Sequence, residues 1–122
     1  MADEIKVTIS ATITNGFFKD TFSPGQDSIT QVVAGGHSSV MSVSTTAENI
    51  SFGDVATPGY AFFQNIDATN YVHIGIASTG GINAFCKLLA GECATLRLTT
   101  GSTFMAEADT LPVKMFYKCW EA

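Results

Sequence analysis

The chain has 122 residues, of which 46% are hydrophobic and only 14% are charged, and its six basic and eleven acidic residues give a net charge of −5. This length suits one domain with its own core, and this composition excludes a disordered chain. Lys and Arg form no cluster that would bind nucleic acid or an anionic membrane surface, and no apolar run is long enough for a transmembrane helix. Neither nucleic acid nor a membrane is therefore expected as a partner.

The sequence predicts short β-strands throughout and no helix of consequence. Residues 5–14 alternate between apolar and polar side chains, which indicates a strand with one buried face, and Asn15-Gly16 ends it with a strong turn signal. A short aromatic strand follows with Phe17, Phe18 and Phe22, and we expect it to stop at residues 23–25. Further strands are predicted at residues 29–33, 37–46, 49–52, 60–66, 71–76, 85–89, 93–98, 103–106 and 113–120.

A β-hairpin is predicted between residues 60–66 and 71–76. The connection, Asp67-Ala68-Thr69-Asn70, is polar, and Asp and Asn both bond to their own backbone in turns. Alternation within the second strand points every other side chain toward the core and places His73 on the outward face. The core-facing residues of that strand are Val72, Ile74 and Ile76.

A second hairpin is predicted between residues 85–89 and 93–98, through a turn at Ala90-Gly91-Glu92. Residues 78–81 are predicted to be a flexible loop. Eight to ten short strands separated by Gly, Pro, Asn and Asp are typical of a sandwich or barrel. We therefore predict an all-β, single-domain antiparallel β-sandwich, jelly-roll-like, over residues 1–122.

Catalytic and metal chemistry are not expected from this sequence. His37 follows two glycines in a predicted loop, and neither it nor His73 has the local spacing of metal ligands. The odd number of cysteines predicts three reduced thiols, at Cys86, Cys93 and Cys119. Cys93 and Cys119 are predicted to be buried in strands, where a thiol stays protonated. The acidic residues are scattered singly, without a carboxylate pair or a calcium loop. We predict no catalytic residue, no metal, no cofactor and no enzyme activity.

The last strand offers the clearest candidate for a functional surface. Its alternation gives a core face of Val113, Met115, Tyr117 and Cys119. The opposite face then exposes large aromatics beside basic residues, a combination typical of protein contact surfaces. The candidate interface residues for an oligomer or another protein partner are Phe116, Trp120, Lys114 and Lys118. Alternatively, Trp120 folds over the end of the sandwich as a cap.

Several segments together carry a resemblance to a known group of proteins. They are EIKVT at 4–8, TNGF at 14–17, TPGYAFFQNIDATNYVHIG at 57–75, KLLAGE at 87–92, LRL at 96–98, AEADT at 106–110 and VKM at 113–115. These segments resemble small virion structural proteins of tailed bacteriophages, of the capsid cement or decoration type. The resemblance covers nearly the whole chain and departs at residues 80–87, where a more aromatic run is expected.

The resemblance implies a non-enzymatic protein that is made in the bacterial host cytoplasm and resides in the virion. It further implies a homotrimer that binds the outer capsid surface, contacts the major capsid protein and stabilises the shell. A second hypothesis is a receptor- or glycan-binding module of a tail or head fibre, in which Tyr60, Tyr71 or Trp120 stacks on sugar rings. A small jelly-roll isomerase is disfavoured because no metal-ligand set can be named.

Overall fold

The structure is a computed structural model that describes residues 3–31, 33–99 and 101–121, and these residues form ten strands and no helix. The chain divides into two compact units, one with the residues up to 34 and one at Gly35–Glu121. That residues 1–122 form a single domain stays a prediction. The strands are β1 (Ile5–Asn15), β2 (Phe18–Ile29), β3 (Gly36–Val43), β4 (Glu48–Asn49), β5 (Pro58–Asn65), β6 (Val72–Ser78), β7 (Gly81–Leu88), β8 (Cys93–Arg97), β9 (Phe104–Ala108) and β10 (Val113–Glu121).

The first unit is a long antiparallel hairpin, here called the arm, which consists of β1, β2 and the two-residue turn between them. The turn residue Gly16 has a φ of +60°, a conformation that glycine adopts without strain. The predicted strand end at residues 23–25 is wrong, because β2 continues through them to Ile29. The predicted strand at residues 29–33 is also wrong in its described part, since Ile29 ends β2; Val32 lies outside the described residues.

A β-bulge explains how β2 passes through a Pro-Gly sequence. The register of the arm shifts between Ile9 and Ala11, so that Ser10 faces two residues of β2, Ser23 and Pro24. Proline has no N–H to donate to a ladder, and the extra residue of a bulge is the place where a strand tolerates that loss. The turn signal in the sequence therefore marks an irregularity within the strand.

The second unit is a sandwich of two antiparallel sheets with four strands each. The β10 sheet has the order β3-β10-β5-β8, and the β6 sheet has the order β4-β9-β6-β7. Successive strands along the chain alternate between the two sheets, except that β6 and β7 are direct neighbours. Eight strands connected in this way have the double Greek-key topology of a jelly roll. The predicted all-β, jelly-roll-like antiparallel sandwich is confirmed.

The two sheets share one hydrophobic core. Alternate residues of each strand point inward, as the period of two in a strand requires. Phe63 and Met115 from the β10 sheet and Ile74 from the β6 sheet are among the largest completely buried side chains. The rest of the buried cluster is Val43, Ile50, Val55, Ala61, Val72, Leu88, Leu98, Phe104, Ala106, Ala108, Val113, Tyr117 and Cys119.

Neither of the two predicted hairpins forms. β5 belongs to the β10 sheet and β6 to the β6 sheet, so residues 66–71 cross from one sheet to the other. Residues 89–92 make a second crossing, from β7 to β8. The hairpin of the sandwich joins β6 to β7, with Ser78 paired to Gly81. Residues 78–81, predicted to be a flexible loop, are its tight turn, in which Gly80 has a φ of +81°.

Asn65, the last residue of β5, is the one fully buried polar side chain among the residues that the structure describes. Its Nδ2 group donates to the carbonyl oxygen of Asn70 at 2.8 Å and to that of Leu88 at 3.0 Å. Its Oδ1 accepts a bond from the backbone N–H of Asp67 at 2.8 Å. The side chain of Asn65 thus supplies the bonds that the backbone of the first crossing needs where it leaves the sheet.

The backbone of Asn65 also holds the second crossing. Its N–H donates to the carbonyl of Glu92, and its own carbonyl accepts from the N–H of Gly91, both at 2.9 Å. The Glu92 carboxylate accepts from the N–H of Leu89 at 2.7 Å. Since the Asn65 side chain also bonds to the Leu88 carbonyl, this one residue fastens both crossings to the end of β5.

Asp67 organises the first crossing. Its Oδ2 accepts from the backbone N–H groups of Asn70 at 2.8 Å and Thr69 at 3.0 Å. These two bonds, the Asn70 bond most of all, favour the ionised carboxylate and lower the pKa of Asp67 below 3.8. The turn chemistry predicted for residues 67–70 is confirmed, although the turn joins two sheets and not two strands of one hairpin.

Asp67→Asn should remove a pH-dependent stabilisation. Because the pKa of Asp67 is lowered on folding, its carboxylate stabilises the folded chain above its ordinary pKa, and this contribution is lost as the pH falls through the lowered pKa. In thermal melts from about pH 7 to about pH 2.5, the Tm difference between wild type and variant should be constant near neutrality and shrink in acid. Asp54→Asn, at an exposed carboxylate outside this turn, is the control; an identical pH dependence in both variants would contradict the assignment.

Candidate functional site

The last strand, β10, lies in the middle of the β10 sheet, between β3 and β5. Its two faces are as predicted: Val113, Met115, Tyr117 and Cys119 are buried in the core. Lys114 is exposed on the outer face, and Phe116, Lys118 and Trp120 are half-buried there. The alternation predicted for this strand is confirmed, while the role of the outer residues as an interface stays a prediction.

Strand pairing brings further large side chains to the same outer face. Trp120 lies opposite Tyr60, and Lys118 lies opposite Phe62. Tyr60 in turn lies opposite Arg97 of β8, and Phe116 lies opposite Val40 of β3. We call this surface the aromatic–cationic face; its members are Val40, Tyr60, Phe62, Arg97, Lys114, Phe116, Lys118 and Trp120.

The rings of this face pack on one another along the sheet. The ring centroids of Phe62 and Trp120 are 4.7 Å apart, and those of Tyr60 and Phe62 are 6.2 Å apart. Aromatic pairs at such distances attract each other beyond the area that they bury. A fixed row of rings binds a partner with little further loss of side-chain entropy, which suits it to recognition.

The position of Trp120 bears on whether it is a cap. A Cβ atom built on Gly36, the residue opposite in β3, would lie 3.1 Å from Cδ1 of Trp120. The indole therefore lies over β3 on one side and against Phe62 of β5 on the other. It contacts both neighbouring strands on the outer surface of the sheet, where β3 begins and β10 ends. That Trp120 is a cap of the sandwich end stays a prediction.

The charge of the aromatic–cationic face is opposite to that of the whole chain. Arg97, Lys114 and Lys118 are three of the six Lys and Arg residues in the sequence, whose net charge is −5. Within β3, β5, β8 and β10, all of which the structure describes, the one acidic residue is Glu121 at the end of β10, whose carboxylate accepts a hydrogen bond from the backbone N–H of Ala56 at 3.3 Å. Two of the cations lie over rings: Arg97 Cζ is 5.4 Å from the Tyr60 centroid and Lys118 Nζ is 5.8 Å from the Phe116 centroid. The face is suited to an apolar partner surface that carries acidic groups.

Sequence reasoning found half of this face. The terminal strand gives Lys114, Phe116, Lys118 and Trp120 by alternation alone, and Tyr60 enters the sequence analysis only as a possible sugar-stacking residue. The missed members are Val40, Phe62 and Arg97. Alternation in β5 and β8 was a usable signal for which way these side chains point, but the adjacency of β3, β5, β8 and β10 is a long-range property.

The histidines do not converge on a site. His37 lies in β3 opposite Cys119, with its ring centroid 5.7 Å from that of Tyr117. This agrees with the strand predicted from residue 37, while the placement of His37 in a loop is wrong. His73 is half-buried on the face opposite its core-facing neighbours, with its ring 4.9 Å from that of Tyr71. Within the described ranges, no group of three or more His, Cys, Asp or Glu residues is arranged to hold a metal ion.

The cysteines are unpaired and lie in three different environments. Cys119 is buried and Cys86 is half-buried, and burial raises the pKa of both thiols. Cys93 is exposed on β8, so the prediction that it is buried is wrong. The alternation of β8 explains this, because Cys93 shares its face with Arg97 while Leu96 packs against the core.

A polar cluster lies on the outer face of the β6 sheet. Lys87 Nζ lies 4.2 Å from the centroid of the Tyr71 ring, and His73 is paired with Lys87 on one side and Glu107 on the other. The negative charge of Asp109, burial and a hydrogen bond to Asp109 raise the pKa of the Tyr71 hydroxyl. Lys87 occupies one face of the Tyr71 ring, which leaves that face closed to a stacking ligand.

The clefts of the sandwich are poor in reactive groups. A cleft of about 360 Å³ beside residues 49–52 has no titratable side chain in its described lining, and one of about 440 Å³ beside β9 has Glu107 alone.

The described strands and loops include no helix long and apolar enough to span a membrane. Comparisons with protein-family models, with curated proteins and with solved structures found no match for this chain.

Proposed function

We propose that the chain is a non-enzymatic structural protein of a tailed-bacteriophage virion, of the capsid cement or decoration type. It binds the outer capsid surface as a homo-oligomer, a homotrimer, and stabilises the shell through contacts with the major capsid protein. It is made in the bacterial host cytoplasm and resides in the virion. The resemblance of its segments to such proteins suggests this role, and the eight-stranded sandwich is compatible with it.

The observation that carries the proposal is the aromatic–cationic face. Trp, Tyr, Phe and Arg are enriched in the centres of protein interfaces, where they supply most of the binding energy. Here four aromatic residues and Arg97 share one sheet surface with two lysines, in a chain of which only 14% is charged. The net charge of −5 supports a protein partner over a nucleic acid.

The mechanism that we propose is mechanical. Each oligomer contacts several capsid subunits at once, so that pulling the subunits apart requires breaking several interfaces together. A standard-size interface buries about 1,600 Å², and linked contacts reinforce one another through their effective concentration. Many copies on a closed shell would therefore resist the outward pressure of packaged DNA without any chemical step.

The proposal is tested first by the location and number of copies. Quantitative mass spectrometry of purified virions should find on the order of hundreds of copies per particle, as a symmetric decoration of a shell requires. Electron microscopy of intact particles should place the corresponding density on the outer capsid surface. A copy number near that of a single tail ring or of a set of fibres would overturn the capsid assignment.

Trp120→Ala should weaken capsid or oligomer binding by about tenfold or more. The side chain packs against Phe62 in the aromatic row, and truncation of a well-packed interface aromatic costs about 2 kcal/mol or more. The measurement is occupancy of capsids by titrated purified protein, with oligomer mass determined by light scattering. Phe85→Ala, at an exposed aromatic of the β6 sheet, is the matched control and should bind as wild type does. Unchanged mass and unchanged occupancy for Trp120→Ala would contradict the assignment.

A second candidate function is a glycan- or receptor-binding module of a tail or head fibre. The specific observation that favours it is the row of Tyr60, Phe62 and Trp120 on a flat sheet surface, since aromatic rings offer apolar faces for sugar rings. A glycan array that is positive at low ligand concentration, with the signal lost in Trp120→Ala, would favour this role over the capsid one.

A further inference from the structure

The arm has one apolar face and one polar face. Its register places Ile13 opposite Asp20 and Ala11 opposite Phe22, and residues directly opposite in a hairpin share a face. The apolar arm face consists of Ile5, Val7, Ile9, Ala11, Ile13, Phe18, Phe22 and Ile29, with Asp20 and Asp27. The opposite face consists of Lys, Gln and hydroxyl side chains, among them Lys6, Thr8, Thr12, Thr14, Lys19 and Thr21.

Burial of the apolar arm face falls steeply along its length. Ile5 is 3% exposed, whereas Ile9, four residues further along the same face, is 41% exposed. Toward the turn, Ile13 is 48%, Phe18 is 60% and Phe22 is 61% exposed. The half of the arm nearest its turn therefore presents large apolar side chains to solvent on one side.

Such a surface is expected to be covered by another protein surface. A two-stranded hairpin is at best marginally stable in water unless its apolar face packs on something. With about 150 to 250 Å² for a large aromatic side chain, the exposed parts of Ile9, Ile13, Phe18 and Phe22 amount to roughly 400 Å². This is about half of the 800 Å² that one partner contributes to a standard-size interface.

A second copy offers two surfaces that the arm could bind, its own apolar arm face and its aromatic–cationic face, and these differ in charge. Asp20 lies between Phe18 and Phe22 on β2, and the apolar arm face carries Asp27 as well but no Lys or Arg. Packing two such faces together would bring like charges into one apolar contact, which costs free energy. The aromatic–cationic face has partly exposed apolar side chains and three cations, against the single carboxylate of Glu121 at the end of β10, and is therefore complementary to the arm in both respects.

We propose that the exposed half of the apolar arm face packs on the aromatic–cationic face of a second copy, with Asp20 beside the lysines of β10. This inference rests on the proposed homo-oligomer and names the two surfaces that form it. The contact is heterologous, because each copy gives one arm and accepts one arm. A closed ring satisfies every arm and every face, and a trimer is one such ring.

Two double variants separate the surfaces. The arm variant is Phe18→Ser with Phe22→Ser, and the face variant is Phe116→Ser with Trp120→Ser. Each alone should weaken self-association by about a hundredfold or more and sediment as a monomer, since two central aromatics are lost from every contact. In an equimolar mixture, the intact arm of the face variant should bind the intact face of the arm variant. The product should be a 1:1 dimer that does not grow, because the other contact is lost at both ends.

A control variant on the polar face of the arm should leave self-association unchanged. Thr12→Ser with Thr21→Ser, on the polar face of the arm, should keep the wild-type mass in sedimentation velocity. An arm variant with wild-type mass would overturn the inference. A face variant with wild-type mass would also overturn it, because self-association without the face would leave the arm to pair with another arm. A mixture that stays monomeric, or a monomeric wild-type protein, would overturn it too.

A charge exchange tests the same contact without removing apolar groups, and so remains informative if the serine variants fail to fold. Asp20→Lys and Lys118→Asp should each weaken self-association by about twofold to fivefold, the range of an exposed ion pair. Both substitutions in one chain should restore most of the loss, and the individual effects should shrink at high salt. If the combined variant is as weak as the sum of the two, the inference is overturned.

Failure of this inference differs from failure of the proposed function. The mass of the purified protein decides whether arm and face meet. The copy number and location in the virion decide whether the protein decorates a capsid. A monomeric wild-type protein present in hundreds of copies on the shell would overturn the inference and the proposed homotrimer, and would leave the capsid decoration role standing.

Discussion

Asn65→Ala should lower the free energy of unfolding by about 3 to 5 kcal/mol. The side chain is completely buried and makes three hydrogen bonds, to Asp67, Asn70 and Leu88. Truncation leaves those backbone groups without their partner, and each unsatisfied buried group costs about 1 to 3 kcal/mol. Because the total stability of a domain is about 5 to 15 kcal/mol, the variant should lose a large fraction of its stability.

The measurement is equilibrium unfolding in urea, with the change in midpoint read at constant slope. Asn83→Ala is the matched control, because Asn83 is an exposed residue of β7 whose side chain forms no hydrogen bond to any residue that the structure describes. It should change stability by less than about 0.5 kcal/mol. Equal stability losses for the two variants would show that the Asn65 bonds do not matter to the fold.

Gly75→Ala should destabilise the sandwich by about 3 kcal/mol or more. A Cβ atom at this position would clash with the carbonyl oxygen of Asn83 and lie 2.6 Å from Cα of Ala84, both backbone atoms of the neighbouring strand. The strand pair has a bulge here, with the register shifted between Ile74 and Gly75. Backbone atoms cannot move aside without parting β6 from β7, so the cost exceeds that of ordinary overpacking, which is about 1 to 3 kcal/mol.

The matched control is Gly81→Ala, at the start of β7. A Cβ atom there meets nothing within 4 Å, and the residue is not in the left-handed region. Alanine at such a site restricts the unfolded chain and should be neutral or stabilising by up to about 1 kcal/mol. The comparison by urea unfolding is unambiguous, since a stable Gly75→Ala would show that the two strands part readily at the bulge.

The sequence was informative where a property is local to one strand. Alternation placed Val113, Met115 and Tyr117 in the core and Phe116 outside, because side chains of a strand alternate whatever the strand pairs with. The number of strands and the fold class follow from the same alternation and from the turn residues between strands.

The sequence was misleading where a property depends on which strands pair. The Asp67 turn and the turn at Gly91 have the composition of hairpin turns, but each links strands of different sheets. A polar turn between two apolar runs is compatible with both geometries, since the turn bonds are the same. The burial of Asn65 decides between them, and it arises only when β5, the first crossing and β7 meet.

The arm shows the same limit in another form. Ser23-Pro24-Gly25 has the composition of a strand end, but β1 supplies the partner that lets β2 continue past a bulge. The apolar face of the arm was visible as alternation in residues 5–14, while its exposure beyond Val7 was not. Alternation indicates that a face is apolar and gives no information about what covers it.

The place of β10 in its sheet has a consequence for how the chain folds. Within its sheet, β3 pairs with β10 alone, and Val43 lies opposite Val113, far along the chain. The chain must lose the entropy of closing a loop of that length before the pairing contributes any stabilisation. We therefore expect folding on the order of milliseconds to seconds rather than microseconds. During synthesis on the ribosome, β3 remains an unpaired edge until residues 113–121 emerge, and the nascent chain is exposed to aggregation and to chaperones for that whole interval.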